Sequence, residues 1–155
     1  MKLSEALRLG EFALPPTKRA WFAFTTVTGR LCGACAVGRA VYAAGFRPTV
    51  PDLAFRVKES TAAFVAPMHP DETLAMTLFF DTQWPWTRTA YTGRPRFWLL
   101  NPVLHDISYR YEQLDQSLRE IADHIEQLEA KYEQPAAIEA APNVAGDATQ
   151  LMEVL

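Results

Sequence analysis

The two cysteines of Cys32-Gly33-Ala34-Cys35 have the residue types and the spacing of a thiol redox site. At the N-terminus of a helix, the helix dipole and the free backbone amides lower the pKa of a thiol, and the resulting thiolate exchanges with disulfides. Thiol oxidoreductases place such a pair in a βαβ unit, whereas only one predicted strand precedes it here. We favour burial of Cys35 as a small packing residue and keep a redox site at Cys32 and Cys35 as the alternative.

Other patterns that could support catalysis are weaker. Two cysteines supply half of a zinc site, and His69, His105 and His124 lack the spacing that would complete it. The sequence contains no glycine-rich phosphate-binding motif and no G-x-S-x-G nucleophile motif. We therefore predict no catalytic residue, no metal site and no cofactor, and a non-catalytic role is favoured.

The most regular feature of the sequence is a run of apolar residues spaced alternately three and four positions apart. Its members, here called the seam, are Leu104, Ile107, Tyr111, Leu114, Leu118, Ile121, Ile125, Leu128 and Tyr132. The run contains neither Gly nor Pro, and as one helix it would be about 43 Å long. The pattern predicts a long C-terminal amphipathic helix of the coiled-coil type over 104–132.

The seam would pair either with another chain or with the protein's own domain. In a parallel dimer, Arg110 with Asp115 and protonated His124 with Glu129 would form oppositely charged pairs beside the seam. The small uncharged residues between those pairs would instead suit packing on a globular domain. We favour self-association through the seam and keep an intramolecular bundle helix as the alternative.

The remaining elements predict a mainly helical α+β fold. Residues 20–27 are rich in aromatic and β-branched types and predict a strand, which would pair with a loose hairpin over 87–100 in a small antiparallel sheet. This sheet would pack on helices near 34–44 and 52–65, which Gly and Pro residues delimit.

Two further short helices are predicted. The first covers 5–9, with Ser4 as its N-cap and Gly10 at its end. The second covers 71–80, where Pro70 and two acidic residues form a favourable first turn, with a strand as the alternative.

Aromatic residues are concentrated between the second of these helices and the seam. They are Phe79, Phe80, Trp84, Trp86, Tyr91, Phe97 and Trp98. We interpret them as part of a small hydrophobic core. Stacking of bases or sugars on these rings, beside Arg88, Arg94 and Arg96, is the alternative.

Charge is distributed unevenly along the 155 residues, whose net value is −3. Residues 1–60 hold nine basic and four acidic residues, whereas residues 106–155 hold three basic and eleven acidic ones. The basic residues form no stripe, so nucleic-acid binding by the N-terminal portion is kept only as an alternative to protein binding. With 49% apolar residues but no long apolar run, we expect a globular protein without a membrane span. Charges near the N-terminus disfavour a signal peptide and favour a cytoplasmic location.

The predicted domain organisation has three parts. A globular α+β domain covers 1–102, the heptad-patterned helix covers 103–133, and a flexible tail covers 134–155. The tail ends in apolar residues that would dock on a partner or fold back on their own domain: Leu151, Met152, Val154 and Leu155.

Three segments carry a resemblance to a protein family: Leu3-Ser4-Glu5-Ala6-Leu7-Arg8-Leu9-Gly10, Cys35-Ala36-Val37-Gly38-Arg39-Ala40 and Ile121-Ala122-Asp123-His124-Ile125. They resemble the LSEAIRLG-type opening helix, the C-A-x-G-A-A helix and the closing helix of small uncharacterised bacterial and phage proteins. The resemblance implies a bacterial or phage context. That group also carries a Cys/His zinc knuckle, but this chain has Asn101-Pro102-Val103-Leu104 in place of C-P-V-C, and Tyr109 and Leu114 in place of histidines. A zinc site is therefore not expected.

These observations predict a non-catalytic binding or assembly protein, an accessory component of a phage or a bacterium. Its partners would be proteins, either a second copy of itself bound through the seam or another chain. In a phage context, its location would be the virion or the host cytoplasm.

Overall fold

The computed structural model describes residues 1–26, 28–54, 65–67, 70–91 and 101–133. Within these ranges, five α-helices accompany three strands in a mainly helical α+β fold, as predicted. In chain order the elements are α1 (Leu3–Ala13), β1 (Phe22–Thr25), β2 (Leu31–Ala34), α2 (Ala36–Ala43), β3 (Val65–Pro67), α3 (Pro70–Gln83), a 3-10 helix (Pro85–Arg88), α4 (Pro102–Glu112) and α5 (Leu118–Tyr132).

The sheet is antiparallel, with β1 between β2 and β3. Phe22 and Phe24 of β1 are fully buried, and a bulge between Ala23 and Phe24 shifts the register against β2. The predicted strand at 20–27 is thus confirmed in its central part. Strand β2 was not predicted, because Leu-Cys-Gly-Ala has little of the β-branched or aromatic character of a strand.

Two predicted elements of the globular part differ from the structure. The hairpin predicted over 87–100 is wrong as the partner of β1, which pairs with β2 and β3, and its first residues complete the 3-10 helix that Pro85 begins; 92–100 lie outside the described residues. The helix predicted over 52–65 begins as predicted, since Leu53 and Ala54 are helical, but Val65 is already the first residue of β3. Residues 55–64 of that helix also lie outside the described residues.

Helix α1 is longer than predicted at both ends. Lys2 rather than Ser4 is its N-cap residue, since Ser4 is bound to a distant helix. Gly10 lies inside α1 because α2 crosses at this point, and a Cβ on Gly10 would lie 2.9 Å from the backbone carbonyl group of Arg39. The glycine therefore permits close packing of α1 on α2. In the sequence alone, such a glycine looks the same as one that ends a helix.

The single helix predicted over 104–132 is wrong. Helix α4 ends at Glu112, and α5 begins at Leu118. Between them Asp115 has a left-handed backbone with φ 52°. Ser117 then caps α5, because its hydroxyl accepts the N–H of Glu120 while the Glu120 carboxylate accepts the N–H of Ser117.

The seam residues line the inner faces of both helices. Six of the nine are buried within the chain's own core: Leu104, Ile107, Tyr111, Leu118, Ile121 and Ile125. Leu128 and Tyr132 pack against its edge, and Leu114, in the break between the helices, is 48% exposed. Because this core also contains Leu3 and Leu7 of α1 and Val37 of α2, it joins residues from both sides of the boundary predicted at 102.

Candidate functional site

Cys35 lies at the N-cap of α2, as a redox motif requires, but its surroundings favour the thiol form. Burial raises the pKa of Cys35 from an ordinary 9.0 to about 11, although the backbone amides of Gly38 and Val37 act in the opposite direction. Burial also raises the pKa of Cys32, whose thiol donates to the Ala23 carbonyl at 3.3 Å. Protonated thiols are poor nucleophiles, so this geometry argues against a redox site.

A pocket of about 600 Å³ opens beside Cys35. It lies where the chain leading into β1, the start of α2 and the end of α4 meet. Its lining residues are Lys18, Arg19, Ala20, Trp21, Cys35, Ala36, Ser108, Tyr111, Glu112 and Gln113. The pocket is therefore built from three segments that are far apart in the sequence.

One wall of the pocket includes Lys18 and Arg19, which end the segment 15–19, here called the strap. The strap runs alongside β2. Ala34 donates its N–H to the Pro15 carbonyl, and Thr17 donates its N–H to the Ala34 carbonyl, both at 3.0 Å. A Cβ on Gly33 would lie 3.1 Å from the Pro15 oxygen. Gly33, which lies between the two cysteines, thus makes room for the strap.

The other side of the strap is bonded to the end of α4. The Tyr111 hydroxyl donates to the Thr17 carbonyl at 3.1 Å, and the Arg19 N–H donates to Glu112 Oε1 at 2.9 Å. Lys18 Nζ donates to the Tyr111 carbonyl at 3.2 Å and forms an ion pair with Asp115. A cation at this position suits the negative end of the α4 dipole. The hydrogen bond to Asp115 raises the pKa of Lys18, and the same bond lowers the pKa of Asp115.

Two polar groups of the pocket have no partner among the described residues. Ser108 Oγ is buried without a hydrogen bond, and the exposed guanidinium of Arg19 makes no ion pair within the described part of the chain. The backbone of Arg19 is left-handed, with φ 65°. Neither residue was predicted from the sequence, because neither a positive φ at an arginine nor the position of the strap has a local sequence signal.

The charged residues predicted to pair across a dimer have partners within the chain. Arg110 bonds Asp106, which also bonds His124 Nε2 at 2.9 Å, and Asp115 bonds the strap. Glu129 is buried and accepts two hydrogen bonds from Ser4. Asp106 thus links α4 to α5, whereas Asp115 and Glu129 connect this helix pair to the strap and to α1.

The aromatic cluster contributes mainly to the core. Phe80 and Trp84 are buried in an edge-to-face contact with ring centroids 5.0 Å apart, and Phe79 and Trp86 are partly buried residues that pack against the core. The core interpretation is therefore confirmed for these four residues. Tyr91 is more exposed and contacts Tyr132; burial, followed by the charge of Asp106, raises its pKa to about 12.

Three predicted groups lie outside the described residues: Phe97 and Trp98, their neighbours Arg94 and Arg96, and the apolar tail residues Leu151, Met152, Val154 and Leu155. Across the described ranges, no group of three or more His, Cys, Asp or Glu residues is placed to hold a metal ion. Within the same ranges, no helix has both the length and the apolar character needed to cross a membrane.

Helix α3 presents apolar residues on two faces. Met76 and Phe80 point into the core, whereas Leu74 and Leu78 are 62% and 55% exposed on the outer face, with the exposed Ala75 between them. Neighbouring exposed leucines on a helix whose opposite face is already buried mark a candidate interaction surface.

Comparison of the chain with protein-family models, with curated proteins and with solved structures finds no match.

Proposed function

We propose that this protein is a non-catalytic binding protein that acts through protein–protein contacts and pairs with a second copy of itself through the outer face of α3. The observation that carries the proposal is the exposure of Leu74 and Leu78 on a helix whose opposite face is already buried. Exposed leucines adjacent on one helix face form an apolar stripe of the kind found at interfaces.

The order of residues along this stripe suits a two-fold contact. If two α3 helices pack antiparallel about a point near residue 76, Leu74 of one copy lies against Leu78 of the other. The small side chain of Ala75 lets the two backbones approach each other near the axis. A two-fold interface requires such self-complementarity.

The energy of this contact predicts a weak dimer. Each leucine is already partly buried, so covering it contributes about 1–2 kcal/mol, and four leucines contribute about 4–8 kcal/mol in total. Association itself costs at least about 4 kcal/mol. The net gain of at most about 4 kcal/mol corresponds to a dissociation constant of about 1 mM or weaker, so association should be measured at high protein concentration.

The seam is a less suitable surface for association in this fold. Six of its residues form part of the chain's own core, so pairing through them would require α4 and α5 to leave α1 and α2. Leu114 alone remains largely exposed. The resemblance to small bacterial and phage proteins supports an accessory role in that context.

The experiment is sedimentation equilibrium of the full chain from about 0.2 mM to about 1 mM, the range that this dissociation constant requires. We expect a concentration-dependent dimer that is lost in L74E/L78E, while the melting temperature changes little. F12E is the matched control, because Phe12 is an exposed apolar residue of α1, and it should leave the dimer intact. A monomer at all concentrations overturns the proposal, as does a dimer that survives L74E/L78E. If such a surviving dimer is lost in L114E, the contact lies instead at the region between α4 and α5.

A further inference from the structure

Helix α1 carries an exposed apolar surface that is separate from the leucine stripe of α3. Phe12 is 82% exposed, more than any other large apolar side chain among the described residues, and Leu9 is 51% exposed. These two residues are three positions apart in α1, so they are neighbours on the helix surface. The opposite side of α1 is buried. Leu9 and Phe12, here called the α1 face, therefore form an apolar surface that the described residues leave largely uncovered.

The end of α5 lies near the start of α1, because these two helices run antiparallel. Glu129 of α5 accepts the Ser4 hydroxyl, and the ion pairs between α1 and α5 follow the same order. Glu133, at the end of α5, lies four residues after Glu129, and Phe12 lies eight residues after Ser4. At about 1.5 Å per residue, Glu133 and Phe12 are roughly 18 Å apart along the helix axes. The residues after α5 therefore start close to the α1 face.

The sequence after α5 contains an apolar segment at a suitable distance. Four apolar residues, here called the apolar segment, occupy five consecutive positions: Leu151, Met152, Val154 and Leu155. Residues 134–150 separate this segment from Glu133. A random coil of about 17 residues has a root-mean-square length of about 21–25 Å, which is close to the span to the α1 face. A tethered segment reaches its highest effective concentration, in the millimolar range, when the length of the linker matches the span.

Charge favours the α1 face over the leucine stripe of α3 as the site for this segment. Residues 134–155 contain three acidic residues and no basic one. Helix α1 together with Lys2 carries two basic and two acidic residues, whereas α3 carries three acidic residues and no basic one. Like charges facing each other weaken association. An acidic segment is therefore repelled less by α1 than by α3.

We propose that the α1 face is a docking site for the apolar segment of the same chain, whose side chains cover Leu9 and Phe12. The inference is carried by the most exposed large apolar side chain of the described structure lying within reach of a tethered apolar segment. The α1 face then becomes available to another protein only when residues 151–155 leave it. This contact is independent of a dimer through α3.

The test measures binding of a fluorescent peptide, which covers residues 147–155, to the full chain by anisotropy. L151E/L155E disables the chain's own segment and frees the α1 face. We expect this variant to bind the peptide with a dissociation constant of about 0.1 mM, below the millimolar effective concentration of the tethered segment. The wild type, whose α1 face is already occupied, should bind the peptide at least about tenfold more weakly.

Further variants of the L151E/L155E chain identify the surface. Addition of F12E should abolish peptide binding, and because Phe12 is exposed the melting temperature should not change. Addition of L74E/L78E is the matched control and should leave peptide binding unchanged. A peptide that does not bind L151E/L155E at about 1 mM, or that binds the wild type equally well, overturns the proposal. So does binding that survives F12E or is lost in L74E/L78E.

Nuclear magnetic resonance of the Met152 methyl group observes docking within the wild-type chain. A methyl group packed against the Phe12 ring has a resonance that differs from its position in the free peptide. In F12E this resonance should move to the free-peptide position, whereas in L74E/L78E it should stay in place. A Met152 resonance that is the same in the wild-type chain, in F12E and in the free peptide overturns the proposal.

Discussion

Glu129 of α5 caps the N-terminus of α1 by accepting two hydrogen bonds from Ser4. One carboxylate oxygen accepts the Ser4 N–H at 2.9 Å, and the other accepts its hydroxyl at 2.6 Å. Glu129 is only 2% exposed, so its charge is stabilised by these bonds and by the positive end of the α1 dipole. A cap supplied by a residue 125 positions away ties the last described helix to the first.

Replacement of Glu129 should destabilise the protein strongly. E129A leaves the N–H and hydroxyl of Ser4 buried without their acceptor and should lower the free energy of unfolding by about 3 kcal/mol. E129Q keeps an acceptor but loses the charge, so a loss of about 1–2 kcal/mol is expected. Urea denaturation measures both, with E126A as the control because Glu126 is exposed. A loss in E129A no larger than in E126A would show that Glu129 is solvated.

The opposite end of α1 is capped in a complementary way. Arg39 of α2 is 5% exposed and donates from Nε to the Gly10 carbonyl at 2.9 Å and from Nη2 to the Glu11 carbonyl at 2.6 Å. Helix α1 therefore has an anion from α5 at its positive end and a cation from α2 near its negative end. Each charge complements the α1 dipole.

Replacement of Arg39 tests this second cap. R39M keeps the length of the side chain but leaves the Gly10 and Glu11 carbonyls without their donor, and we expect a loss of about 2–3 kcal/mol in the free energy of unfolding. R39K keeps the charge and should recover part of that loss. The control is R119M, since Arg119 is 72% exposed and should change stability by no more than about 0.5 kcal/mol. Equal losses in R39M and R119M would contradict the cap.

The elements that could be predicted are those whose signals are local. Residue types predict β1, the small residues before Gly45 predict α2, and the spacing of apolar residues predicts the buried face of the seam. The break between α4 and α5 was missed although Ser117 and Glu120 form a capping-box pattern. The alternating spacing of three and four continues through Leu114, although Leu114 lies in the break and is largely exposed. Periodicity alone therefore could not reveal where the helix is interrupted.

The long-range features could not be predicted, because their partners lie far apart in the chain. Ser4 has the residue type of an N-cap, yet it donates to Glu129. Gly10 has the type of a helix end, yet it accommodates the backbone of Arg39. The pocket likewise requires the strap to lie on Gly33 and on the end of α4, and this arrangement exists only in the folded chain.

Replacement of Ser117 distinguishes two helices from one by the sign of its effect. As the N-cap of α5, Ser117 satisfies the N–H of Glu120, so S117A should lower the free energy of unfolding by about 1 kcal/mol. In the interior of one continuous helix, the same change would be stabilising by up to about 0.5 kcal/mol, because alanine is the better helix former. Q127A, at an exposed position inside α5, is the control for helix propensity. A stabilising S117A in urea denaturation would contradict the break.

The raised pKa of Cys35 predicts that stability decreases in alkali. The folded-state pKa of about 11 lies above the ordinary 9.0, so the folded protein binds the thiol proton more tightly than the unfolded chain does. This contribution is complete below pH 9.0 and is lost as the pH rises towards 11. Between pH about 8 and about 10.5, the wild type should lose about 2 kcal/mol more than C35A, as measured by urea denaturation. A difference between wild type and C35A that does not change with pH would contradict the burial of the thiol.

Alkylation kinetics test the same property of Cys35 under native conditions. At pH about 8, a thiol with a pKa of about 11 contains about a hundredfold less thiolate than one with a pKa of 9.0. In C32A, where Cys35 is the remaining cysteine, iodoacetamide should therefore react at least about a hundredfold more slowly than with the urea-unfolded chain, because burial also limits access. Below the pKa the rate should rise about tenfold per pH unit. A native rate at neutral pH equal to that of the unfolded chain would instead support the redox alternative for Cys32 and Cys35, since that chemistry requires an accessible thiolate.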